Sequence, residues 1–225
     1  MEGIQWLAGV DGCRGGWVVV REEVASGRRV VEVLSTLEGL ARSEVTATFV
    51  DIPQGLPNST PRAADRLARE ALRPGRASSV FSAPVRGVLE CESYPVALAR
   101  SRSDSGHGLS IQAWNIVPKI REVDDLLRTY RPAFFECHPE VSFARMCGAP
   151  IQESKKSAAG ATIRSDLLHR EFGARPERPM GCGADDYVDA WACLWTARRW
   201  LARTAIVLPD AAEFDDEGVA MQIWV

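Results

Sequence analysis

The stretch from Gly9 to Val20 most constrains how this chain can fold. Apolar residues lead into it, a run of valines leaves it, and between them lie four glycines and one carboxylate, Asp11. Valine-rich runs favour pleated strands and glycine accepts the positive φ angles of tight corners, so the stretch predicts two strands joined by a glycine-rich turn. Asp11 stands at the end of a strand that should be buried, where an ionised carboxylate needs a hydrogen-bond network or a metal ion. The alternative is that Asp11-Gly12 serves only as turn residues.

The composition is that of one globular domain, which we take as residues 1–225. Hydrophobic residues make up 46% of the 225 residues, enough for one sizeable core. The net charge of −3 gives no global basic signature for nucleic acid, although a local basic groove would be invisible in that sum. The six cysteines form no CxxC pair, which favours reduced thiols and a cytoplasmic protein. No apolar run approaches membrane-spanning length, so we expect no membrane partner.

Two further strands are predicted to end near a carboxylate. Residues 46–50 are mostly β-branched or apolar, and Asp51-Ile52-Pro53 follows at once, where the proline ends the strand. Residues 133–137 repeat this pattern, with Glu136 near the end. With the hairpin and a strand over residues 29–34, the predicted order is three strands, helix, strand, helix, strand and then helices.

Residues 53–117 interrupt this order, because prolines punctuate them and only one helix is predicted there, over residues 61–72. A long irregular stretch inside a compact domain is usually functional. Its arginines are therefore predicted to border an acidic site and to contact phosphates, the alternative being a solvated helix face. They are Arg62, Arg66, Arg69, Arg73, Arg76 and Arg86. Regular structure resumes in a helix that is predicted to begin at Pro118.

The last long helix is predicted to run from Asp185 to about Leu201. Acidic residues in the first turn of a helix suit its dipole, which is the purely structural explanation of Asp185 and Asp186. Asp189 lies on the second turn among small and apolar residues, and its spacing puts it on one face with Asp186. We predict that Asp185 is the N-cap, which leaves Asp186 free to face the strands.

Carboxylates thus stand near the ends of three predicted strands and at the start of a late helix. Hard divalent cations such as Mg²⁺ need oxygen ligands, and carboxylates that converge from separate elements supply them. Two such ions about 4 Å apart can activate a water molecule and stabilise the leaving oxygen of a phosphodiester. No zinc-ligand spacing and no nucleophile-elbow motif in the sequence competes with this chemistry.

The chain resembles the RNase H-like superfamily in Gly9-Val10-Asp11 with Gly15-Gly16-Trp17, in Val50-Asp51-Ile52-Pro53, and in Asp186-Tyr187-Val188-Asp189-Ala190. The last segment is similar to a helix of RuvC-type Holliday-junction resolvases. As a whole, the chain is most similar to a family of unknown function described as predicted RNase H-like nucleases, through segments that span nearly its full length.

The resemblance implies an α/β fold, namely an RNase H-like mixed five-stranded sheet with helices on both faces and a large insertion after the fourth strand. The first three strands should be antiparallel, and the later two should run parallel to the first. The resemblance also implies a metal site. Its ligands would be Asp11 and Asp51 on neighbouring strands and Asp186 and Asp189 on the late helix, with Glu136 at the periphery.

The leading hypothesis is a Mg²⁺- or Mn²⁺-dependent nuclease that hydrolyses the phosphodiester bonds of nucleic acid by a two-metal mechanism. Its catalytic residues would be Asp11, Asp51, Asp186 and Asp189, and its phosphate contacts Arg76, Lys119, Lys155 and Lys156. One alternative is a noncatalytic member of the fold that binds nucleic acid or protein. Another is an actin-like nucleotide phosphotransferase, which would need a duplicated fold. DNA and RNA remain equally open as substrates.

Overall fold

The computed structural model describes residues 5–225. The strands are Trp6–Cys13 (β1), Gly16–Glu23 (β2), Arg29–Leu34 (β3), Ala47–Val50 (β4), Phe134–Glu136 (β5), Val207–Leu208 (β6) and Ile223–Trp224 (β7). The α-helices are Glu38–Ala41 (α1), Ala63–Ala71 (α2), Tyr94–Ser105 (α3), Ile111–Tyr130 (α4), Pro139–Cys147 (α5), Ala158–Phe172 (α6) and Ala184–Leu201 (α7). Two short 3-10 helices lie at Ala77–Ser79 and Arg86–Glu90.

The main sheet has five strands in the order β3-β2-β1-β4-β5. Strands β1, β2 and β3 pair antiparallel, whereas β4 is parallel to β1 and β5 is parallel to β4. This is the mixed sheet of an RNase H-like fold, so the predicted fold class is confirmed. The glycine-rich turn is shorter than predicted, because Gly9 and Gly12 lie inside β1 and only Arg14 and Gly15 form the corner.

Helices cover both faces of this sheet, because side chains alternate along each strand. Ala8 and Val10 of β1 face a core that is shared with α4, whereas Leu7 of the same strand faces a core shared with α6 and α7. Residues on the Leu7 side of β1 therefore look toward α7. Asp11, an even number of residues from Leu7, lies on that side.

Gly9 lets α7 pack directly on the backbone of β1. A Cβ atom on Gly9 would overlap the carbonyl oxygen of Ala190 and the amide nitrogen of Leu194, and would lie 2.8 Å from the Cα of Leu194. Any larger residue at this position would push the helix away from the sheet. Because Gly9 and Asp11 are two residues apart in a strand, this close approach lies beside the Asp11 carboxylate.

The segment between β4 and β5 holds more helix than the sequence predicts. The helix predicted over residues 61–72 is present as α2, but α3 was not predicted. The predicted start of the next helix at Pro118 is wrong, since α4 begins at Ile111 and contains Pro118 in its interior. Ser110 explains the earlier start, because its hydroxyl caps the helix by accepting a hydrogen bond from the Ala113 amide at 3.1 Å.

The C-terminal residues pack beside β5 at the edge of the main sheet. Ile223 and Val225 are buried, and Trp224 forms a parallel bridge with Cys137 just after β5. Within residues 5–225, no helix combines the length and apolar character needed to cross a membrane.

Candidate metal centre

Three aspartates from three separate elements meet at one point of the sheet. Asp11 lies in β1, Asp51 directly follows β4, and Asp189 lies in α7. Each offers a carboxylate oxygen, and these oxygens all lie within 4.8 Å of one another. We call these three residues the aspartate cluster.

Parallel pairing of β1 with β4 places two members of the cluster side by side. The backbone amide of Asp51 donates a hydrogen bond to the carbonyl of Val10 at 2.9 Å, so the two chains stay in register past the end of β4. The prediction that Asp11 and Asp51 are neighbours on adjacent parallel strands is therefore confirmed. Asp189 joins them because Gly9 admits α7 to the same face of the sheet.

Burial and mutual repulsion make the aspartate cluster difficult to ionise. Burial raises the pKa of Asp51 and that of Asp189 to about 7. Burial also raises the pKa of Asp11 well above its usual range, and the neighbouring charges of Asp51 and Asp189 add to this rise. Asp189 is only 2% exposed, and its Oδ1 is buried without a hydrogen-bond partner. Within the described residues, the hydrogen-bond donors to the cluster's carboxylates are the Gly12 amide, which donates to Oδ1 of Asp11 at 2.6 Å, and the ammonium group of Lys155.

Lys155 supplies one positive charge to this cluster. Its Nζ lies 2.6 Å from Oδ2 of Asp189, in a turn that precedes α6. Burial alone would lower the pKa of Lys155, but the charges of Asp189, Asp51 and Asp11 raise it overall. The ammonium group is therefore held in its charged form beside the carboxylates.

Glu136, which was expected at the periphery of the metal site, is not part of the aspartate cluster. Arg62 binds both of its carboxylate oxygens, at 2.6 and 2.8 Å, and the Gln54 amide donates to it at 2.8 Å. Arg62 also pairs with Asp65, and all three side chains are buried. We call Arg62, Asp65 and Glu136 the arginine cluster. Because Arg62 saturates Glu136, this carboxylate is not free to bind a cation.

The first turn of α7 uses its acidic residues differently from the prediction. Gly183 is the N-cap, and Oδ2 of Asp186 accepts the Gly183 amide at 3.1 Å, so Asp186 caps the helix and not Asp185. Asp186 still lies near the aspartate cluster, since its charge raises the pKa of Asp11 and of Asp51. The Asp186 carboxylate thus accepts a structural hydrogen bond and also adds negative charge near the aspartate cluster.

A cleft of about 420 Å³ opens over the aspartate cluster and carries several basic side chains. The four phosphate contacts of the nuclease hypothesis line it, namely Arg76, Lys119, Lys155 and Lys156. Lys119 reaches across the hairpin, where its Nζ donates to the Gly16 carbonyl and lies 4.3 Å from the centre of the Trp17 ring. The cleft therefore combines an acidic floor with a partly basic wall.

Other arginines that were predicted to border the acidic site are engaged elsewhere. Arg66 forms an exposed ion pair with Glu70, and Arg69 bonds the Val80 carbonyl and the Ser82 hydroxyl. Arg86 pairs with Asp124 and Asp215. Of the arginines between Arg62 and Arg86, Arg62 and Arg76 line the cleft, and Arg62 is paired with Glu136 and Asp65. The prediction is wrong for Arg66, Arg69 and Arg86.

Two residues of the cleft were given no role from sequence. Glu140 is buried and pairs with Arg164 at 2.7 Å, and His138 lines the cleft with its Nδ1 buried and without a partner. Burial lowers the pKa of His138. Their position directly after β5 was the available signal, because the carboxyl ends of neighbouring parallel strands meet at one edge.

The donor set of the aspartate cluster fits a hard divalent cation. Carboxylate oxygens suit Mg²⁺ and Mn²⁺ rather than soft metals, which favour thiolate. Oδ1 of Asp189 is buried without a hydrogen-bond partner, and within the described residues Lys155 is the cation that forms an ion pair with the three carboxylates. The cluster could therefore hold a metal ion.

The chain belongs to the family described as "Protein of unknown function (DUF429)", whose model matches residues 9–213. The match includes all three members of the aspartate cluster. No curated protein and no solved structure matches the chain.

Proposed function

We propose that this protein is a divalent-metal-dependent nuclease of the RNase H-like superfamily. The observation that carries the proposal is the aspartate cluster, in which three carboxylates from β1, β4 and α7 converge within 4.8 Å and keep one buried oxygen unpartnered. Burial of like charges costs free energy, and three clustered carboxylates beside the single counter-charge of Lys155 suit an exogenous cation. The five-stranded mixed sheet supports the superfamily assignment.

Asp11, Asp51 and Asp189 would hold Mg²⁺ or Mn²⁺. When bound, such an ion lowers the pKa of a coordinated water and stabilises negative charge on a phosphate. The chain itself supplies rigid positioning, because the two strands are hydrogen-bonded to each other and α7 packs on their backbone. A preorganised carboxylate set needs little rearrangement when its ligand binds.

A nucleic-acid substrate is favoured by the basic wall of the cleft. Lys119, Lys156 and Arg76 line the same cavity as the aspartates, so a phosphodiester at the acidic floor would have cations beside its backbone. The overall charge of −3 does not oppose this assignment, because the basic groups are local to the cleft.

The test is a cleavage assay on fluorescently labelled single- and double-stranded DNA and RNA, with Mg²⁺, Mn²⁺ or excess chelator. We expect metal-dependent cleavage that Asp51→Asn abolishes and Asp185→Asn preserves, since Asp185 neither caps the helix nor belongs to the cluster. Nucleic-acid binding without cleavage under every condition would instead support the noncatalytic alternative.

We also propose that the protein works in the cytoplasm. All six cysteines lie in the described residues and are free, and five of them are buried. Unpaired cysteines are typical of a reducing compartment. Fractionation of cells that express the tagged protein would test this placement.

A further inference from the structure

Lys155 occupies a cation position inside the aspartate cluster. Its Nζ is 2.6 Å from one oxygen of Asp189, while the other oxygen of that carboxylate is buried without a partner. The charge of Lys155 also acts on Asp11 and Asp51, since it opposes the rise in the pKa of both carboxyls. Asp189 thus binds the ammonium group of Lys155 through Oδ2, and its Oδ1 has no hydrogen-bond partner.

The turn that carries Lys155 is fixed by the packed interior. Gly160 in the first turn of α6 lies so close to the Ser154 carbonyl that an added Cβ would overlap it. Arg164, 1% exposed, donates to the Glu153 carbonyl at 3.2 Å and pairs with Glu140 at 2.7 Å. A lysine on a turn anchored in this way differs from a solvated surface lysine, because its backbone cannot drift away from the cluster.

The nearby acidic groups leave few carboxylates for a second metal ion. Glu136 is paired with Arg62 and Glu140 with Arg164, and Asp186 directs one of its two oxygens, Oδ2, to the Gly183 amide. Within the described residues, the aspartate cluster then offers three negative charges against the one positive charge of Lys155. The net charge of −2 that results when all three are ionised matches the charge of a single divalent cation.

We propose that Lys155 takes the place of a second metal ion, so that the aspartate cluster binds one divalent cation per chain. This inference rests on the proposed function and departs from the two-metal expectation. In this arrangement Asp189 links the two cations, with Lys155 on Oδ2 and the ion on the side of Oδ1. Lys155 would then act as a positioning residue that also presents an ammonium group to a phosphate in the cleft.

The experiment is calorimetric titration of the full chain with Mn²⁺ in the absence of nucleic acid. We expect one ion per wild-type chain and one ion of similar affinity for Lys155→Arg, which keeps the charge. Lys155→Met removes the charge and frees Oδ2 of Asp189, so we expect its first ion to bind about tenfold tighter or more, followed by a second ion. Circular dichroism checks the fold of each variant, and Lys155→Gln replaces Lys155→Met if the latter does not fold.

The outcomes separate this inference from the proposed function. Two ions on the wild-type chain would overturn the role of Lys155 and leave a metal-dependent nuclease intact. An affinity in Lys155→Met equal to or weaker than that of wild type would overturn it as well, because a competing positive charge must weaken ion binding. If neither the wild type nor any variant binds Mn²⁺, the proposed function fails together with the inference.

Discussion

The aspartate cluster and the arginine cluster lie along the same edge of the sheet, yet they are built in opposite ways. Asp51 follows β4 and is half-buried, and Glu136 ends the neighbouring strand β5 and is buried. Arg62 neutralises Glu136 with two hydrogen bonds, whereas Asp51 faces the other two aspartates. The partner of a buried carboxylate, rather than its burial or its place on a strand, separates a structural group from a candidate functional one.

The largest expected effect comes from removing the cation of the arginine cluster. Arg62→Met leaves Glu136 and Asp65 buried without a counter-charge, and breaking such a buried pair costs about 3 to 5 kcal/mol of the free energy of unfolding. Urea denaturation measures it. Arg66→Met is the matched control, because Arg66 forms an exposed ion pair with Glu70 and should cost under about 1 kcal/mol. An equal loss in the free energy of unfolding of both variants would contradict the structural role of the arginine cluster.

Among the carboxylates, those of the aspartate cluster should contribute most to ion binding. We expect Asp51→Asn to weaken Mn²⁺ binding by about 100-fold or more, which corresponds to about 3 kcal/mol, because a neutral amide replaces one of three ligands. The same substitution should slightly stabilise the metal-free protein, since it removes repulsion among buried carboxylates. Calorimetry and urea denaturation give the two values. An unchanged Mn²⁺ affinity in Asp51→Asn, or a loss of equal size in Asp185→Asn, would move the site elsewhere.

The pH dependence of stability should distinguish the aspartate cluster. The pKa of Asp51 and of Asp189 is about 7 in the folded chain, above the usual value, so the native state holds protons that the unfolded state releases. The metal-free protein therefore loses stability as pH rises from about 4, and the loss is complete above about pH 7. We expect a fall on the order of 2 kcal/mol between pH 5 and pH 8, measured by urea denaturation in chelator.

Two comparisons assign this fall to the cluster. Asp51→Asn should flatten the pH profile, because the amide does not titrate. Added Mn²⁺ should stabilise the wild type more at pH 8 than at pH 5, since the ion competes with protons for the same oxygens. A wild-type profile identical to that of Asp51→Asn would contradict the raised pKa.

The smallest expected effect concerns Asp186. This carboxylate has a structural hydrogen bond, yet it also lies near the aspartate cluster. Its bond to the Gly183 amide predicts that Asp186→Asn costs about 0.5 to 1 kcal/mol of stability, as the loss of a helix-capping charge does. Ion affinity should fall less in Asp186→Asn than in Asp189→Asn. Calorimetry on both variants decides this, and a greater loss in Asp186→Asn would make Asp186 a ligand in place of Asp189.

Local patterns were sufficient to predict the sheet and most of the cluster. The valine-rich and apolar runs predicted the five strands because each is a short run with clear ends, although β3 is only half-buried. Asp11 and Asp51 followed from strand ends, since parallel strands bring these ends together. Asp189 stood out because a carboxylate among small and apolar residues on a buried helix needs a reason to be there.

One error came from a partner that is distant in sequence, and two came from helix caps that were assigned to the wrong residue. Glu136 resembled Asp51 at its strand end, but Arg62 lies 74 residues away and nothing local reveals that pairing. The prediction that Asp185 is the N-cap of α7 was wrong. Gly183 is the N-cap, and its amide donates a hydrogen bond to Asp186. Pro118 was misplaced because proline favours helix starts, whereas the cap of Ser110 begins α4 earlier.

Because Gly9 has no side chain, backbone contacts between β1 and α7 set the geometry of the aspartate cluster. The spacing between α7 and β1 is fixed where backbone meets backbone, so volume-conserving changes in the surrounding core can alter stability without moving Asp189 relative to Asp11. The site is thereby insulated from most of the variation that a hydrophobic core tolerates. Replacing Gly9 even by alanine would place a methyl group against the backbone of α7 and so disturb the site.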